Sequence, residues 1–239
     1  MKRILWASNL LTLSVLVLIS IKCLKYRKDL QSNEHRCAYE LGRFDFHYKH
    51  ETDSPAIIML GNSIIRYGNW DSLLDRKDVI NRGIGGDKLN CICERLSYIK
   101  SSKAKIVFIE GGINDIAGHA LVNTDTLLSY YEQIVNFLLA EKKIPVVDFV
   151  LYESPKADTS FPSPTDYKTT NLIAKELNKK LQIFVVQNKI DHIDLNPTIC
   201  DTIQLRLKDE YTIDGVHLTN EAYKKWAGQI KTILNQHKI

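Results

Sequence analysis

The sequence predicts an α/β fold, in which a mostly parallel sheet is covered by helices on both faces. Two observations support this prediction. Short apolar runs alternate with amphipathic helical stretches from about residue 55 to residue 236, and parallel strands can be joined only through crossover connections of that kind. Three glycine-rich segments with polar residues also follow apolar runs directly, as segments at the carboxyl edge of a parallel sheet do.

Five apolar runs are predicted as the strands of the sheet. Most are short and continuous rather than alternating, which is the pattern of a strand buried on both faces. In chain order they cover residues 56–60, 78–81, 105–110, 144–151 and 190–195. The sheet is therefore expected to lie inside the domain, with helices above and below it.

Helices are predicted where apolar residues recur at intervals of three and four, over residues 126–142, 169–187 and 220–236. The longest irregular stretch covers residues 152–166 and contains three prolines. It follows the fourth apolar run, so it leaves the sheet at the edge where the polar segments are expected. Long loops in compact domains are often functional, and we predict that this one forms a wall of the substrate pocket.

The first 28 residues differ from the rest of the chain in charge and hydropathy. Residues 4–21 contain no charge and 13 apolar residues, a stretch of 18 that can cross a hydrocarbon core of about 30 Å. We predict that residues 1–28 form a membrane anchor or signal segment, with an uncleaved anchor favoured. Residues 29–53 are predicted as a charged linker, and residues 54–239 as a globular domain exported to the periplasmic or extracellular side.

The formal charge of +4 does not indicate a nucleic-acid partner. Six positive charges and no acidic residue lie within residues 1–28, which leaves −2 for the rest of the chain. Their position beside the apolar stretch fits a membrane surface better. The five cysteines form no CxxC pair, and Cys91 and Cys93 point in different directions on a predicted helix. No metal site and no cofactor are predicted.

Four short segments place residues suited to acyl transfer beside glycines. They are residues 61–63 (GNS), 83–87 (GIGGD), 112–115 (GIND) and 214–217 (DGVH). The first three follow predicted strands, so they are expected to meet at the carboxyl edge of the sheet, where open α/β sheets place their active sites. The fourth precedes the last predicted helix and adds a histidine and an aspartate to the set.

This set contains the parts of a serine hydrolase. Ser63 is the predicted nucleophile, His217 the base that takes its proton, and Asp214 the carboxylate that orients the imidazole. The negative oxygen of a tetrahedral intermediate also needs hydrogen-bond donors. The backbone N–H groups of Ser63 and Gly86 and the side-chain amide of Asn114 are predicted to supply them as an oxyanion hole.

On these four segments, the chain resembles the SGNH hydrolase superfamily of GDSL-type esterases and lipases, named after the Ser, Gly, Asn and His that they carry. The resemblance spans about residues 55–235. It is closest to the branch similar to platelet-activating-factor acetylhydrolase and bacterial lysophospholipase or sugar-ester esterases, partly through residues 68–70 (GNW). It implies a three-layer α/β/α sandwich with a flavodoxin-like, five-stranded sheet, and ester hydrolysis without a metal.

The function that this resemblance implies is that of a serine esterase, which cleaves O-acyl esters of a small alcohol, a sugar or a lysolipid through an acyl-serine intermediate. Two alternatives stay open: a non-catalytic module that binds a glycan or lipid, and an O-acyltransferase that uses the same acyl-serine. One residue departs from the family pattern. Asn62 stands where an Asp usually precedes the nucleophile, which weakens the hydrogen bonds that a carboxylate would accept.

The substrate pocket has five further candidate residues near the predicted sheet edge. They are Asn62, Tyr67, Trp70, His119 and Tyr152. The expected partners of the chain are thus a small acyl ester in this pocket and a membrane at the N-terminal segment. The acyl length and the alcohol part of the ester are not defined by these residues, because the sequence does not show which of them face one another.

Overall fold

The computed structural model describes residues 56–117 and 121–239, together with Lys22 and Cys37. The chain divides into two compact units, Met1–His50 and Glu51–Ile239, and the second contains the sheet and helices below. The predicted anchor at 1–28 and linker at 29–53 otherwise lie outside the described residues. Within the described part of the chain, none of the helices has the length and apolar character needed to span a bilayer.

A five-stranded parallel sheet lies at the centre of the second unit. Its strands are β1 (Ile57–Gly61), β2 (Val79–Gly83), β3 (Ile106–Ile109), β4 (Ile144–Asp148) and β5 (Asp191–Ile193). The order across the sheet is β2-β1-β3-β4-β5, and each neighbouring pair is parallel. This confirms the predicted α/β class and the flavodoxin-like strand order. The direction of winding reverses between β1 and β3, and ligand crevices form at the carboxyl ends of strands at such a reversal.

Helices cover both faces of this sheet. In chain order they are α1 (Ser63–Arg66), α2 (Trp70–Leu74), α3 (Leu89–Glu94), α4 (Ile113–Ile116), α5 (Thr124–Ala140), α6 (Ala157–Ser160), α7 (Tyr167–Asn188), α8 (Asn196–Ile199) and α9 (Asn220–Gln236). Short 3₁₀ turns lie at Leu96–Ile99 and Asp209–Tyr211, and β6 (Cys200–Asp201) pairs antiparallel with β7 (Arg206–Leu207). Helices α3, α5 and α7 pack together on one face and α2 with α9 on the other, which gives three layers. All residues of β1 and β3 are consequently buried.

The three long helices predicted from periodicity are confirmed, and side-chain caps set where two of them begin. The side chain of Asn123 accepts from the N–H of Asp125, at 2.8 Å, and begins α5. The side chain of Asp166 accepts from the N–H of Thr169, also at 2.8 Å, and begins α7. Each cap satisfies a backbone donor that has no partner inside the helix, so both helices begin two residues before the apolar pattern indicates.

The fourth strand is shorter than the apolar run that predicts it. The run covers residues 144–151, but β4 ends at Asp148. Beyond it, the backbone N–H of Val150 donates to the side-chain oxygen of Asn178 at 2.9 Å, and the carbonyl of Val150 accepts from the Asn178 amide at 2.8 Å. A side chain on α7 therefore replaces the neighbouring strand as partner, which a pattern of apolar residues does not reveal.

Candidate active site

A cleft of about 330 Å³ opens at the carboxyl edge of the sheet. Residues from all four glycine-bearing segments line it: Ser63 after β1, Gly86 after β2, Asn114 after β3 and His217 before α9. The segments are far apart in the chain and meet because parallel strands end at one edge. The structure therefore brings together the residues that the sequence analysis selected for acyl transfer.

Ser63 is the first residue of α1 and lies directly beyond β1. The side-chain oxygen of Asn62 accepts from the N–H of Ile64 at 2.7 Å and caps the helix. The hydroxyl of Tyr223, on α9, donates to the carbonyl of Ile64 at 2.6 Å. A Cβ on Gly61 would come within 2.4 Å of the carbonyl oxygen of Glu110. The turn that carries Ser63 is thus packed closely against Glu110, which follows β3, and is bonded to Tyr223 of α9.

The Ser63 hydroxyl begins a chain of hydrogen bonds to a carboxylate. Its Oγ lies 2.9 Å from Nε2 of His217, and Nδ1 of that ring lies 2.6 Å from Oδ2 of Asp214. The other oxygen, Oδ1, accepts from the backbone N–H groups of Val216 and His217 at 3.0 and 2.8 Å. Burial acts to raise the Asp214 pKa, but the bonds from His217 and Val216 outweigh it and hold that pKa below its ordinary value.

An ionised Asp214 determines which ring nitrogen of His217 carries the proton. The carboxylate accepts from Nδ1, so the lone pair of Nε2 faces the Ser63 hydroxyl. This is the tautomer in which a histidine can take a proton from a serine, and the carboxylate stabilises the imidazolium that results. The side chain of His217 is 17% exposed, so solvent reaches the ring.

The loop that carries His217 is fixed against the segment after β4. The hydroxyl of Thr212 donates to the carbonyl of His217 at 2.9 Å, and the carbonyl of Gly215 accepts from the N–H of Ser154 at 2.8 Å. Gly215 has a φ of +101°, and a Cβ there would lie 2.1 Å from the backbone nitrogen of Ala157. Only glycine fits this approach, so residue 215 lets the histidine loop lie directly on residues 154–157.

The three predicted oxyanion donors line the same cleft as the hydroxyl. Gly86 has a φ of +71°, a conformation that glycine adopts without strain. The side-chain amide of Asn114, on α4, donates one N–H to the carbonyl of Asp87 at 2.9 Å. An amide has two N–H groups, so one anchors the side chain and the other is left for the cleft. Together with the backbone of Ser63, these groups can bind a negative oxygen.

Arg95 is a positioning residue that the sequence analysis missed. Its guanidinium is 2% exposed and donates from Nε to the Asp87 carboxylate at 2.9 Å. It also donates to the carbonyls of Arg82 and Gly61, each at 2.8 Å. One side chain thus ties the ends of β1 and β2 to the glycine-rich segment. The available signal was a positive charge within the largely apolar stretch 89–99 (LNCICERLSYI).

The model of the GDSL-like lipase/acylhydrolase family matches residues 59–225, a range that includes all four segments. The chain belongs to this family. No curated protein matches the sequence closely enough to count as a relative.

Solved structures share the fold of this GDSL-like protein. A protein from Bacteroides fragilis assigned as an acylhydrolase is 22% identical, with a TM-score of 0.71 over 82% of this chain and 96% of that one. A GDSL-like lipase from Bacteroides thetaiotaomicron is 21% identical, with a TM-score of 0.71 over 82% and 97%. The lipase/acylhydrolase from Enterococcus faecalis is 20% identical, with a TM-score of 0.63 over 77% and 97%. Identities this low show the fold alone.

Asn62, the departure from the GDSL pattern, has a buried carboxyl beside it. Its side-chain amide donates to Oε1 of Glu110, at the end of β3, at 3.2 Å. Both side chains are fully buried, and Oε2 of Glu110 has no hydrogen-bond partner among the described residues. Burial raises the pKa of Glu110 to about 8. The amide of Asn62 caps α1 and bonds to this carboxyl without placing a second ionisable group in the buried site.

Not all of the predicted pocket residues line the cleft. Tyr67 does: its ring is 61% exposed and meets the His217 ring edge-on, with 5.0 Å between centroids. The placement of Trp70 is corrected, since its ring is buried against Trp226 at 5.1 Å. Asn62 is buried beneath the turn that carries Ser63 and does not line the cleft, so its placement is corrected too.

Of the two remaining pocket candidates, one is buried and the other lies outside the described residues. Tyr152 is buried behind the cleft, with its N–H bonded to the side chain of Asn196 at 3.1 Å, so that placement is corrected as well. His119 lies outside the described residues. The predicted wall at 152–166 does contribute to the cleft, through Glu153 and Phe161. The remaining lining is apolar and comes from Ile113, Ala117 and Val216.

The buried carboxyls beneath this site predict an unusual dependence of stability on pH. Burial raises the pKa of Asp115 to about 7 and that of Asp148 well above its ordinary value, in addition to that of Glu110. The folded state keeps protons that the unfolded state releases, so these three carboxyls oppose folding least below their ordinary pKa, and their cost to stability grows as the pH rises towards 8. We expect the free energy of unfolding to fall by on the order of 1–3 kcal/mol between pH 5 and pH 8.

Urea unfolding of the Glu110→Gln variant checks this prediction. The amide cannot ionise, so the decline in stability between pH 5 and pH 8 should be clearly shallower than in the unchanged protein. Glu176→Gln is the matched control, because Glu176 is on the surface of α7 and its pKa is lowered by its bonds to Thr124 and Lys180. Parallel curves for Glu110→Gln and the unchanged protein would show that Glu110 is already ionised in the folded state.

Proposed function

We propose that this protein is a serine esterase that cleaves O-acyl esters of a small alcohol, a sugar or a lysolipid through an acyl-Ser63 intermediate. The observation that carries the proposal is the continuous chain of hydrogen bonds from Ser63 through His217 to Asp214. Membership of the GDSL-like lipase/acylhydrolase family supports ester hydrolysis as the reaction class.

In the proposed acylation step, Oγ of Ser63 attacks the ester carbonyl carbon while Nε2 of His217 takes the hydroxyl proton. The carbonyl oxygen becomes negative and accepts hydrogen bonds from the N–H groups of Ser63 and Gly86 and from the Asn114 amide. Removing one such donor typically costs about a hundred- to a thousandfold in rate. His217 then gives its proton to the leaving oxygen, so the alcohol departs neutral and the acyl group stays on Ser63.

Deacylation repeats these proton transfers with water as the nucleophile. Nε2 of His217 takes a proton from water, the resulting hydroxide attacks the acyl carbon, and the same donors hold the oxyanion. The proton returns to Oγ of Ser63 as the carboxylic acid is released. Asp214 remains ionised throughout and stabilises the imidazolium form of His217.

Exposure of the cleft favours hydrolysis over acyl transfer, and the hydrogen-bond chain favours an enzyme over a binding module. An O-acyltransferase must keep water away from its acyl-serine, whereas the ring of His217 is partly exposed and Tyr67 lies largely in solvent. A non-catalytic binding module has no need of a histidine held in one tautomer between a hydroxyl and a carboxylate. The complete hydrogen-bond chain therefore favours an enzyme.

A fluorophosphonate probe tests this proposal on the unchanged protein. Such probes react with an activated serine, so we expect a single adduct on the peptide that contains Ser63, located by mass spectrometry. Labelling should slow when p-nitrophenyl acetate competes, and heat-denatured protein serves as the control without an assembled site. A folded protein that hydrolyses this ester but carries the adduct on another residue would contradict Ser63 as the nucleophile.

A further inference from the structure

A second cleft, of about 460 Å³, adjoins the one that contains Ser63. The two share three wall residues, Ala117, Glu153 and Phe161. Phe161 is 46% exposed and presents its ring edge to His217, with 5.8 Å between centroids. A molecule whose reacting carbonyl lies at Ser63 can therefore extend past Phe161 towards the second cleft.

The polar side chains of the second cleft are hydroxyls and carboxyls. The hydroxyls belong to Ser160, Ser163, Thr165 and Thr170, and the carboxyls to Glu153 and Asp158. Among its described lining residues there is no Lys, Arg or His. The described lining residues therefore offer carboxyl and hydroxyl oxygens and carry no positive charge.

The two carboxyls of this cleft differ in the hydrogen bonds that they can offer to a ligand. One oxygen of Asp158 accepts from the N–H of Tyr167 at 2.7 Å, which fixes the carboxylate and leaves its other oxygen for the cleft. Glu153 is only 6% exposed, and burial raises its pKa to about 7. A carboxyl that is partly protonated near neutral pH both donates and accepts hydrogen bonds, as alcohol hydroxyls require.

The two clefts differ in the chemistry that they offer to the two parts of an ester. The cleft at Ser63 is lined by apolar groups such as Ile113 and Val216, which suit a short acyl chain. The second cleft would place a phosphate beside Glu153 and Asp158, with no cation among the described lining residues to offset its charge. Neutral hydroxyls, in contrast, can bond to carboxyls and hydroxyls of this kind without adding a charge.

We propose that the second cleft binds the alcohol part of the substrate and that this part is a neutral, polyhydroxylated alcohol such as a sugar. This inference rests on the proposed function and narrows it, because it selects sugar esters over phosphate-bearing lysolipids. It is carried by the shared wall at Glu153 and Phe161 and by the second cleft's described lining, which is rich in hydroxyls and includes no cationic side chain. The acyl group then occupies the cleft at Ser63.

Acetate esters that differ only in the alcohol test this proposal. The set is p-nitrophenyl acetate, a methyl glucoside monoacetate, 1-acetylglycerol 3-phosphate and acetylcholine. We expect kcat/KM for the sugar acetate to exceed that for the phosphate ester and that for the choline ester by about tenfold or more, since roughly two ordinary hydrogen bonds correspond to such a factor. A preference for the phosphate ester or for the choline ester would overturn the inference.

A variant that fills the second cleft tests its location. Ser160 is exposed at the end of α6, and Ser160→Trp should lower kcat/KM for the sugar acetate about tenfold more than kcat/KM for p-nitrophenyl acetate. Thr159→Trp is the matched control, because Thr159 is exposed on the same helix and is not among the residues that line the cleft. It should leave the ratio of the two rates unaltered.

The outcomes separate this inference from the proposed function. If Ser160→Trp lowers the rates on both esters equally, or if Thr159→Trp changes the ratio as much, the alcohol part does not lie in the second cleft and the inference fails alone. If the unchanged protein hydrolyses none of the four esters, the proposed function fails and the inference fails with it. A change of ratio confined to Ser160→Trp supports both.

Discussion

Replacing Ser63 with alanine is expected to lower kcat/KM for p-nitrophenyl acetate by about 10⁴-fold or more. Alanine has no oxygen to attack the ester, and His217 then has no hydroxyl to activate at 2.9 Å. The protein should remain folded, because alanine suits the first position of α1 and Asn62 still caps that helix. Initial rates and a thermal unfolding curve on the same preparation measure the two effects separately.

A matched serine variant and a double variant strengthen this test. Ser129→Ala removes a partly exposed hydroxyl on α5 that bonds only within its own helix turn, to Thr126, and should leave the rate unchanged. Ser63→Ala and His217→Ala should each cause the same loss as the two together, because residues that act as a unit are not additive. The acyl-serine mechanism would be contradicted if the rate losses of the two single variants multiplied in the double variant. It would also be contradicted if Ser63→Ala protein kept a tenth of the original rate.

Restoring the family's usual aspartate, in Asn62→Asp, is expected to destabilise this protein instead of improving it. The introduced carboxyl would meet Glu110 at about the 3.2 Å contact that the amide now makes, and folding would then bury two carboxyls with one proton between them. The cost is small at pH 6, where Glu110 supplies that proton, and grows as the pH rises through about 8. We expect a loss of about 2–4 kcal/mol in the free energy of unfolding at pH 9.

A second substitution should reverse this loss. When Asn62→Asp is combined with Glu110→Gln, the new amide at position 110 donates to the carboxylate at position 62, so most of the stability at pH 9 should return. Asn123→Asp is the matched control, since Asn123 caps α5 at the surface, and it should change stability by less than about 0.5 kcal/mol. Equal losses in the single and double variants would show that repulsion from Glu110 is not the cause.

The sequence contained enough information for the sheet and for the four site segments. Apolar runs mark strands because both faces of the sheet are covered, and Ser63, Gly86, Asn114 and His217 reach one cleft because parallel strands place their carboxyl ends together. These relations follow from local pattern and chain order. They need no knowledge of which side chains touch.

The remaining features depend on contacts between residues far apart in the chain. The bonds of Arg95 to Gly61 and of Asn62 to Glu110 span 34 and 48 residues, so no local pattern records them. Trp70 was misplaced for a similar reason, because an aromatic residue after the nucleophile suits a pocket until Trp226 is seen to pack against it. The second cleft likewise forms only when Ala117, after α4, meets Glu153, helix α6 and the start of α7.

The close approach at Gly215 has a consequence for how this scaffold can diversify. The histidine loop rests on residues 154–157 with no room for even one added carbon, and the same segment leads into Phe161, which lines both clefts. A displacement of about 1 Å in a catalytic group can cost a hundredfold in rate. Insertions that reshape this wall will therefore tend to displace the ring of His217 as well, so the shape of the clefts and the position of that ring change together.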